Sequence, residues 1–329
     1  MTKLYDNTRV STYKICPRKY YYRHYRHWTG TGIDPPLIFG SCWHSSMDVV
    51  WKGIKEGYDK ETVHTLAQGV FEEEWLKAGA VLQDEMSDDQ ESEYKFRHEG
   101  TAYHMLENYI ERRWDFITGV EVLEVERPFA VPLHPTDQEM LYVGRQDKVI
   151  KWDSYIWAVE HKTSSLYAKS GYFRSNFLDS FTPNSQIDGY LHALKTDYGE
   201  DAKGVLVDGA LVHKTEHEGF RFIPVEQQFE QLDAWLYETL EAIERIERDK
   251  DYMSNNLVEG EPFMSAFPKD TNSCFMFNRP CPYLGFCKVL ANPENRREVP
   301  DGFKIEKWEP FKELALERIG VEDEDEDKG

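Results

Sequence analysis

Apolar positions fall first into a helical rhythm and then into an alternating one. Within residues 39–58, FGSCWHSSMDVVWKGIKEGY, Met47, Val50, Trp51 and Ile54 recur at three- and four-residue spacings, which predicts a helix after a Gly-Ser start. Residues 60–79 and 92–118 also read as helices, and residues 11–28, STYKICPRKYYYRHYRHW, as a short helix covered in aromatic and basic side chains. From Glu121 the period becomes two, and EVLEVERPFAVPL, MLYVGRQDKVIKW and YIWAVEHKT predict strands. A helix over 184–198 with Pro183 near its first turn, strands at about 203–213 and 218–225, and a long helix at about 226–250 follow. The chain then becomes loop-rich around CFMFNRPCPYLGFC, and it shows neither an internal repeat nor a Gly/Ser linker. Helices, then strands, then helices predict one α/β or α+β unit, a mixed sheet within a helical layer. The expected divisions are a helical region over 1–118, a core over 119–225, a helix with a cysteine lobe over 226–315, and a tail over 316–329.

Two of these strands raise a chemical question. VGRQDKVIKWDSYIWAVEHKTSS, residues 143–165, is two hydrophobic runs meeting at a Trp-Asp-Ser turn, and both runs carry charge. Residues two apart share a strand face, so Glu160 points with Lys162, and Asp147 with Val143 and Val149. Antiparallel pairing brings Asp147 near Glu160. Two close carboxylates repel unless a cation sits between them. A hard divalent ion accepts such oxygen ligands, and Lys162 on the same face can meet a phosphate oxygen or position a water. An ordinary surface hairpin explains the charges equally well on this stretch alone, and Glu93-Tyr94-Lys95 supplies a second Glu-x-Lys outside any strand pair.

Composition narrows the classes. With 40% hydrophobic and 14% aromatic residues in 329, the chain is globular rather than disordered. It has no apolar run of about 18 residues and no signal-like start, so a cytoplasmic protein without membrane partners is expected. The net charge of -21 argues against a nonspecific polycationic grip on nucleic acid. The acid is uneven, however. VEDEDEDKG reads as a solvated, disordered end and QDEMSDDQESE as a surface loop, whereas residues 7–33 hold six Lys or Arg and no acid. Five cysteines in a reducing compartment do not suggest disulfides, and Cys274, Cys281 and Cys287 crowd together as C-x6-C-x5-C.

GRQDKV followed by WAVEHKTSS resembles the core of the RecB-like PD-(D/E)XK nucleases, with its G-R-x-D and E-x-K-T strands. FGSCWHSSMD resembles the upstream element whose histidine joins the metal shell, here His44. EVERPF resembles the glutamate-bearing strand that opens the core, with Glu126 as the match, and NSQIDGYLHAL the Gln-x-x-x-Tyr element, here Gln186 and Tyr190. The resemblance spans about residues 11–290. It implies a restriction-endonuclease-like mixed sheet and hydrolysis of DNA, as an exonuclease on single strands or ends. Catalysis would fall to Asp147, Glu160 and Lys162 with Glu126, Gln186 and Tyr190. His44, Asp147, Glu160 and the backbone carbonyl of His161 would hold Mg²⁺ or, because imidazole suits it better, Mn²⁺.

Iron–sulfur members of that branch bind a [4Fe–4S] cluster with one N-terminal and three C-terminal cysteines. ICPRKYYY and CPYLGFC resemble those segments, which implies Cys16, Cys274, Cys281 and Cys287 as ligands of a lobe made by both chain ends. Six residues rather than the family's usual two separate Cys274 from Cys281. Four thiolates also suit Zn²⁺, and Cys42 reads as a packed thiol. Aromatic and basic residues hold single strands by stacking and phosphate contact, which singles out Arg23, Arg26, Trp28 and Arg174. Lacking a P-loop, the chain carries no motor. It resembles the stand-alone CRISPR-associated adaptation exonucleases, which implies a helicase or recombination partner. A catalytically silent DNA-binding or scaffold subunit and a zinc-stabilised RNA-processing nuclease are the competing readings.

Overall fold

The computed structural model describes residues 2–134, 136–276 and 279–320. Along the chain lie β1 (Lys3–Tyr5), α1 (Asn7–Ile15), α2 (Pro17–Tyr20), β2 (Trp28–Gly30), α3 (Pro35–Lys55), α4 (Lys60–Lys77), α5 (Asp88–Tyr94) and α6 (Glu99–Gly119). Next come β3 (Glu121–Pro132), β4 (Met140–Trp152), β5 (Tyr155–Ser164), β6 (Tyr167–Ala168), β7 (Tyr172–Phe173), α7 (Ser175–Leu178) and α8 (Ser185–Tyr198). β8 (Ala202–Leu211), β9 (Phe220–Val225) and α9 (Phe229–Asn255) follow, ahead of short pieces through Leu316–Ile319. The tail expected over 316–329 lies outside the described residues from 321 on. Among the described residues no helix is long and apolar enough to cross a membrane.

Contacts divide the chain into two compact units. One comprises Ile33–Phe129 and Arg145–Gln228, the other the described residues within 1–32, 130–144 and 229–329. In the first, β4 pairs antiparallel with β5, β5 parallel with β8, and β8 antiparallel with β9, which makes the expected mixed sheet. The β4–β5 turn is two residues, Asp153 and Ser154, both with positive φ (48° and 68°), the conformation that matches strand twist in a tight hairpin.

Strand alternation then sorts the side chains. Ile150, Trp157, Val159 and Leu206 face the helices α3, α4 and α6 and pack with Trp43, Trp51, Phe71 and Trp75. Val149, Ala158, Val205 and Val207 face α8 and pack with Ile187, Leu191 and Leu194. Burying each large apolar side chain contributes roughly 1.5–3 kcal/mol, so both faces are firmly covered. The hairpin is therefore a core element of this unit and not a surface excursion.

Several boundaries differ from the sequence reading. α3 begins at Pro35, capped by Asp34, rather than at Gly40. The acidic stretch is not a plain loop: Ser87 and Gln90 form a capping box that starts α5, and Lys95 (φ 59°) ends it before α6. Asn184 caps α8, so Pro183 precedes the helix. Residues 11–28 are not one helix, because Cys16 adopts an extended conformation before Pro17.

In the second unit β1 pairs parallel with β4 at Leu4 and Leu141, and Tyr142 packs edge-on to Trp235 of α9. Its core is aromatic: Tyr13, Tyr20, Tyr21, Tyr22, Trp28, Phe267 and Tyr283 pack together.

Candidate active site

β5 alternates Glu160 and Lys162 toward α8 with His161 toward α3, while β4 alternates Asp147 with Lys148. The ladder pairs Lys148 with Val159, so the next position sets Asp147 opposite Glu160. Asp147 Oδ2 accepts the backbone N–H of His161 at 2.8 Å and lies 3.1 Å from Nδ1 of His44 on α3. Lys162 Nζ donates to Glu160 Oε1 and, at 3.0 Å, to Gln186 Oε1. Gln186 Nε2 donates in turn to Glu160 Oε1 at 3.2 Å and to the Tyr190 hydroxyl at 3.0 Å. Gln186 and Tyr190 are one turn apart on α8 and share a face.

Electrostatics follow from burial and pairing. Burial raises the Glu160 carboxyl, and the neighbouring Asp147 charge raises it further, with Lys162 opposing both. Burial also pushes Asp147 upward, but the His44 ring overcomes it and holds that carboxyl well below the usual range. Burial would lower His44 and Lys162; the charge of Asp147 raises the first and that of Glu160 the second. Glu160 is 1% exposed, and its buried Oε2 has no hydrogen-bond partner among the described residues. A buried carboxylate oxygen without a donor is costly and needs a positive partner.

Among the described residues no three His, Cys, Asp or Glu side chains close into a ready-made cation cage. The site instead combines the His44–Asp147 pair with the unsatisfied Glu160 oxygen across one ladder step. The carboxylate oxygens suit Mg²⁺ or Mn²⁺, and the imidazole nitrogen favours Mn²⁺ of the two. The Glu126 carboxylate meets Arg145 at 3.3 Å and Lys52 at 4.0 Å.

Behind the site lie groups that the sequence reading passed over. Lys148, fully buried, donates to Asp48 Oδ1 at 2.5 Å. Burial raises the Asp48 carboxyl to about 6 despite Lys148. Asp208 on β8 is buried with Arg113, which donates from Nη2 at 2.8 Å, and with the Tyr109 hydroxyl at 2.8 Å. Burial holds the His161 ring well below its usual range, and neither ring nitrogen has a hydrogen-bond partner among the described residues. One signal was available: His44 and Asp48 are four apart on a helix.

The other residues singled out are placed as follows. Trp28 is 2% exposed, stacked on Tyr22 at 5.7 Å and edge-on to Phe286, so its ring offers no open face to a base. Arg23 donates to Thr29 Oγ1, and Arg26 donates to the Arg297 carbonyl while lying over Trp28. Arg174 is exposed, with Nε donating to the Tyr167 carbonyl at 3.0 Å.

Cys16, Cys274, Cys281 and Cys287 all fall in the second unit. The Cys281 N–H donates to the Cys274 carbonyl at 2.8 Å. Burial raises the Cys281 and Cys287 thiols, and the nearby Cys16 adds to both shifts. Cys42 packs in the apolar core of the first unit, as expected.

The sequence model of the PD-(D/E)XK nuclease superfamily matches residues 7–288. No curated protein matches the chain. Among solved structures, an alkaline exonuclease from Laribacter hongkongensis is similar at 14% identity and a TM-score of 0.29, over 46% of this chain and 69% of its own. A protein from Eubacterium rectale, described only as a candidate exonuclease, is similar at 12% identity and a TM-score of 0.46, over 85% of this chain and 92% of its own. Both TM-scores are under 0.5, so neither likeness bears on function.

Proposed function

Since the chain belongs to the PD-(D/E)XK nuclease superfamily, we propose that it is a divalent-metal-dependent deoxyribonuclease acting on single strands or DNA ends. The observation that carries this reading is the buried Glu160, whose Oε2 has no hydrogen-bond partner among the described residues and whose Oε1 is tied to Lys162, one ladder step from Asp147. Asp147, Glu160, His44 and the His161 carbonyl would hold the ion. A bound Mg²⁺ or Mn²⁺ supplies charge that draws the scissile phosphate and acidifies a water. Gln186 fixes the Lys162 ammonium beside Glu160, where it stabilises the charge that builds on a phosphate. Tyr190 holds Gln186 in turn. Glu126, whose carboxylate meets Arg145 and Lys52, would join them as the glutamate of the strand that opens the core.

The four cysteines would hold a [4Fe–4S] cluster that clips the N-terminal helices to the C-terminal segment of their unit, a structural part rather than a redox step. The resemblance to stand-alone adaptation exonucleases makes a cytoplasmic enzyme that works with a separate helicase or recombination factor part of the same proposal.

Strands labelled at the 5′ or 3′ end, single or duplex, DNA or RNA, incubated with Mn²⁺, Mg²⁺ or EDTA, test it. Metal-dependent shortening of DNA is expected. Binding without cleavage would establish the silent subunit, and preference for RNA the processing enzyme.

A further inference from the structure

We infer that Phe96, His213 and Tyr167, with Arg97 at their edge, form a stacking platform for an unpaired base of the DNA strand running past the site. This rests on the nuclease reading and assigns part of its substrate track. The three rings come from separate segments and meet in one row. The Tyr167 and His213 ring centroids are 4.5 Å apart, tilted by 34°. Phe96 and His213 are 6.2 Å apart at 40°. The Arg97 guanidinium lies 5.1 Å from the Phe96 centroid and donates to Ser165 Oγ at 2.8 Å. All four side chains are part-exposed.

Their position gives the row its meaning. β5 and β8 run parallel and finish together, with Ser164 paired to Leu211 and the Val212 N–H donating to the Ser164 carbonyl. His213 and Tyr167 leave these strand ends directly. Ligands of open α/β sheets bind beyond the carboxyl ends of such strands. Lys162 lies three residues before Ser165, about 10 Å along an extended strand, a span of a few base steps at roughly 3.4 Å each. The row therefore follows Lys162 along the same strand, and it combines aromatic rings with a cation, which is what single-strand binding uses. Arg174, exposed and bonded to the Tyr167 carbonyl, adds a second cation beside it.

The test is a binding cycle on wild-type protein, Tyr167→Leu and His213→Asn in EDTA, read by fluorescence anisotropy of a labelled single-stranded oligodeoxynucleotide. One abasic position is moved along the strand. Wild type loses affinity about tenfold or more when the base at one particular position is missing. Each variant loses a similar factor on the intact strand and nothing further at that position. Wild type with no sensitive position, variants that bind the intact strand as wild type does, or an abasic loss that persists in the variants would each overturn the platform. Tighter, platform-dependent binding of the matching oligoribonucleotide would overturn its assignment to DNA. Wild-type cleavage of the same strand with Mn²⁺ is scored separately, so failure of the platform and failure of the nuclease reading are told apart.

Discussion

Lys148→Met removes a fully buried ammonium and leaves Asp48, its side chain 14% exposed, facing Glu126 and Asp147 without its cation. Breaking a buried pair from one side costs about 3–5 kcal/mol. Even with Lys148 present, burial holds the Asp48 carboxyl up at about 6, with Glu126 and Asp147 adding to the rise. An acid whose folded pKa is raised favours the native state once protonated: that contribution is complete below the unfolded value and lost as pH rises through about 6. Without Lys148 the shift grows. The variant's deficit in urea unfolding is therefore about 3–5 kcal/mol at pH 8 and shrinks as pH falls toward 5. Lys148→Met combined with Asp48→Leu fills the space with apolar atoms and returns to within about 2 kcal/mol of wild type. A pH-independent deficit, or a double variant as unstable as the two single variants summed, would refute the reasoning.

His44→Ala removes a ring that contacts Asp147 without deleting core packing, so the protein stays folded and loses much of its cleavage, with partial recovery in excess Mn²⁺; an insoluble variant would assign the ring to packing. Replacing Cys16, Cys274, Cys281 or Cys287 with Ser bleaches a brown, anaerobically prepared protein of about four irons per chain and lowers its melting temperature, while Cys42→Ser keeps the colour; stoichiometric zinc in colourless protein would refute the cluster. Burial, with help from Arg9 and Arg23, lowers His24 to about 3, so wild type loses the neutral ring's stabilisation as pH falls below the unfolded value near 6.5. His24→Gln is therefore less acid-sensitive, by about 2 kcal/mol between pH 6.5 and 5; parallel stability–pH curves would contradict this.

The β4–β5 hairpin was legible because alternation is local: apolar residues at every second position dictate both faces and carry Asp147, Glu160 and Lys162 to one of them. Gln186 and Tyr190 were legible as a helical pair for the same reason. Partners distant in sequence were not. Lys148 stands 100 residues from Asp48, and Arg113 is 95 from Asp208, and no period in a single sequence links such positions. Trp28 misled because an aromatic among arginines suits a nucleic-acid surface as well as a buried ring that stacks on Tyr22 beneath Arg26. The break in residues 11–28 was written in Pro17, which disfavours helix at Cys16 and then starts the next one.

Cleavage of end-labelled single-stranded DNA by wild type, Asp147→Ala, Glu160→Ala and Lys162→Ala, each with Mn²⁺ and with EDTA, tests the central claim most directly. The account predicts cleavage by wild type with Mn²⁺ alone, none detectable from the three variants, and DNA binding largely retained by Lys162→Ala. Wild-type rates from Lys162→Ala, or cleavage that survives EDTA, would contradict it.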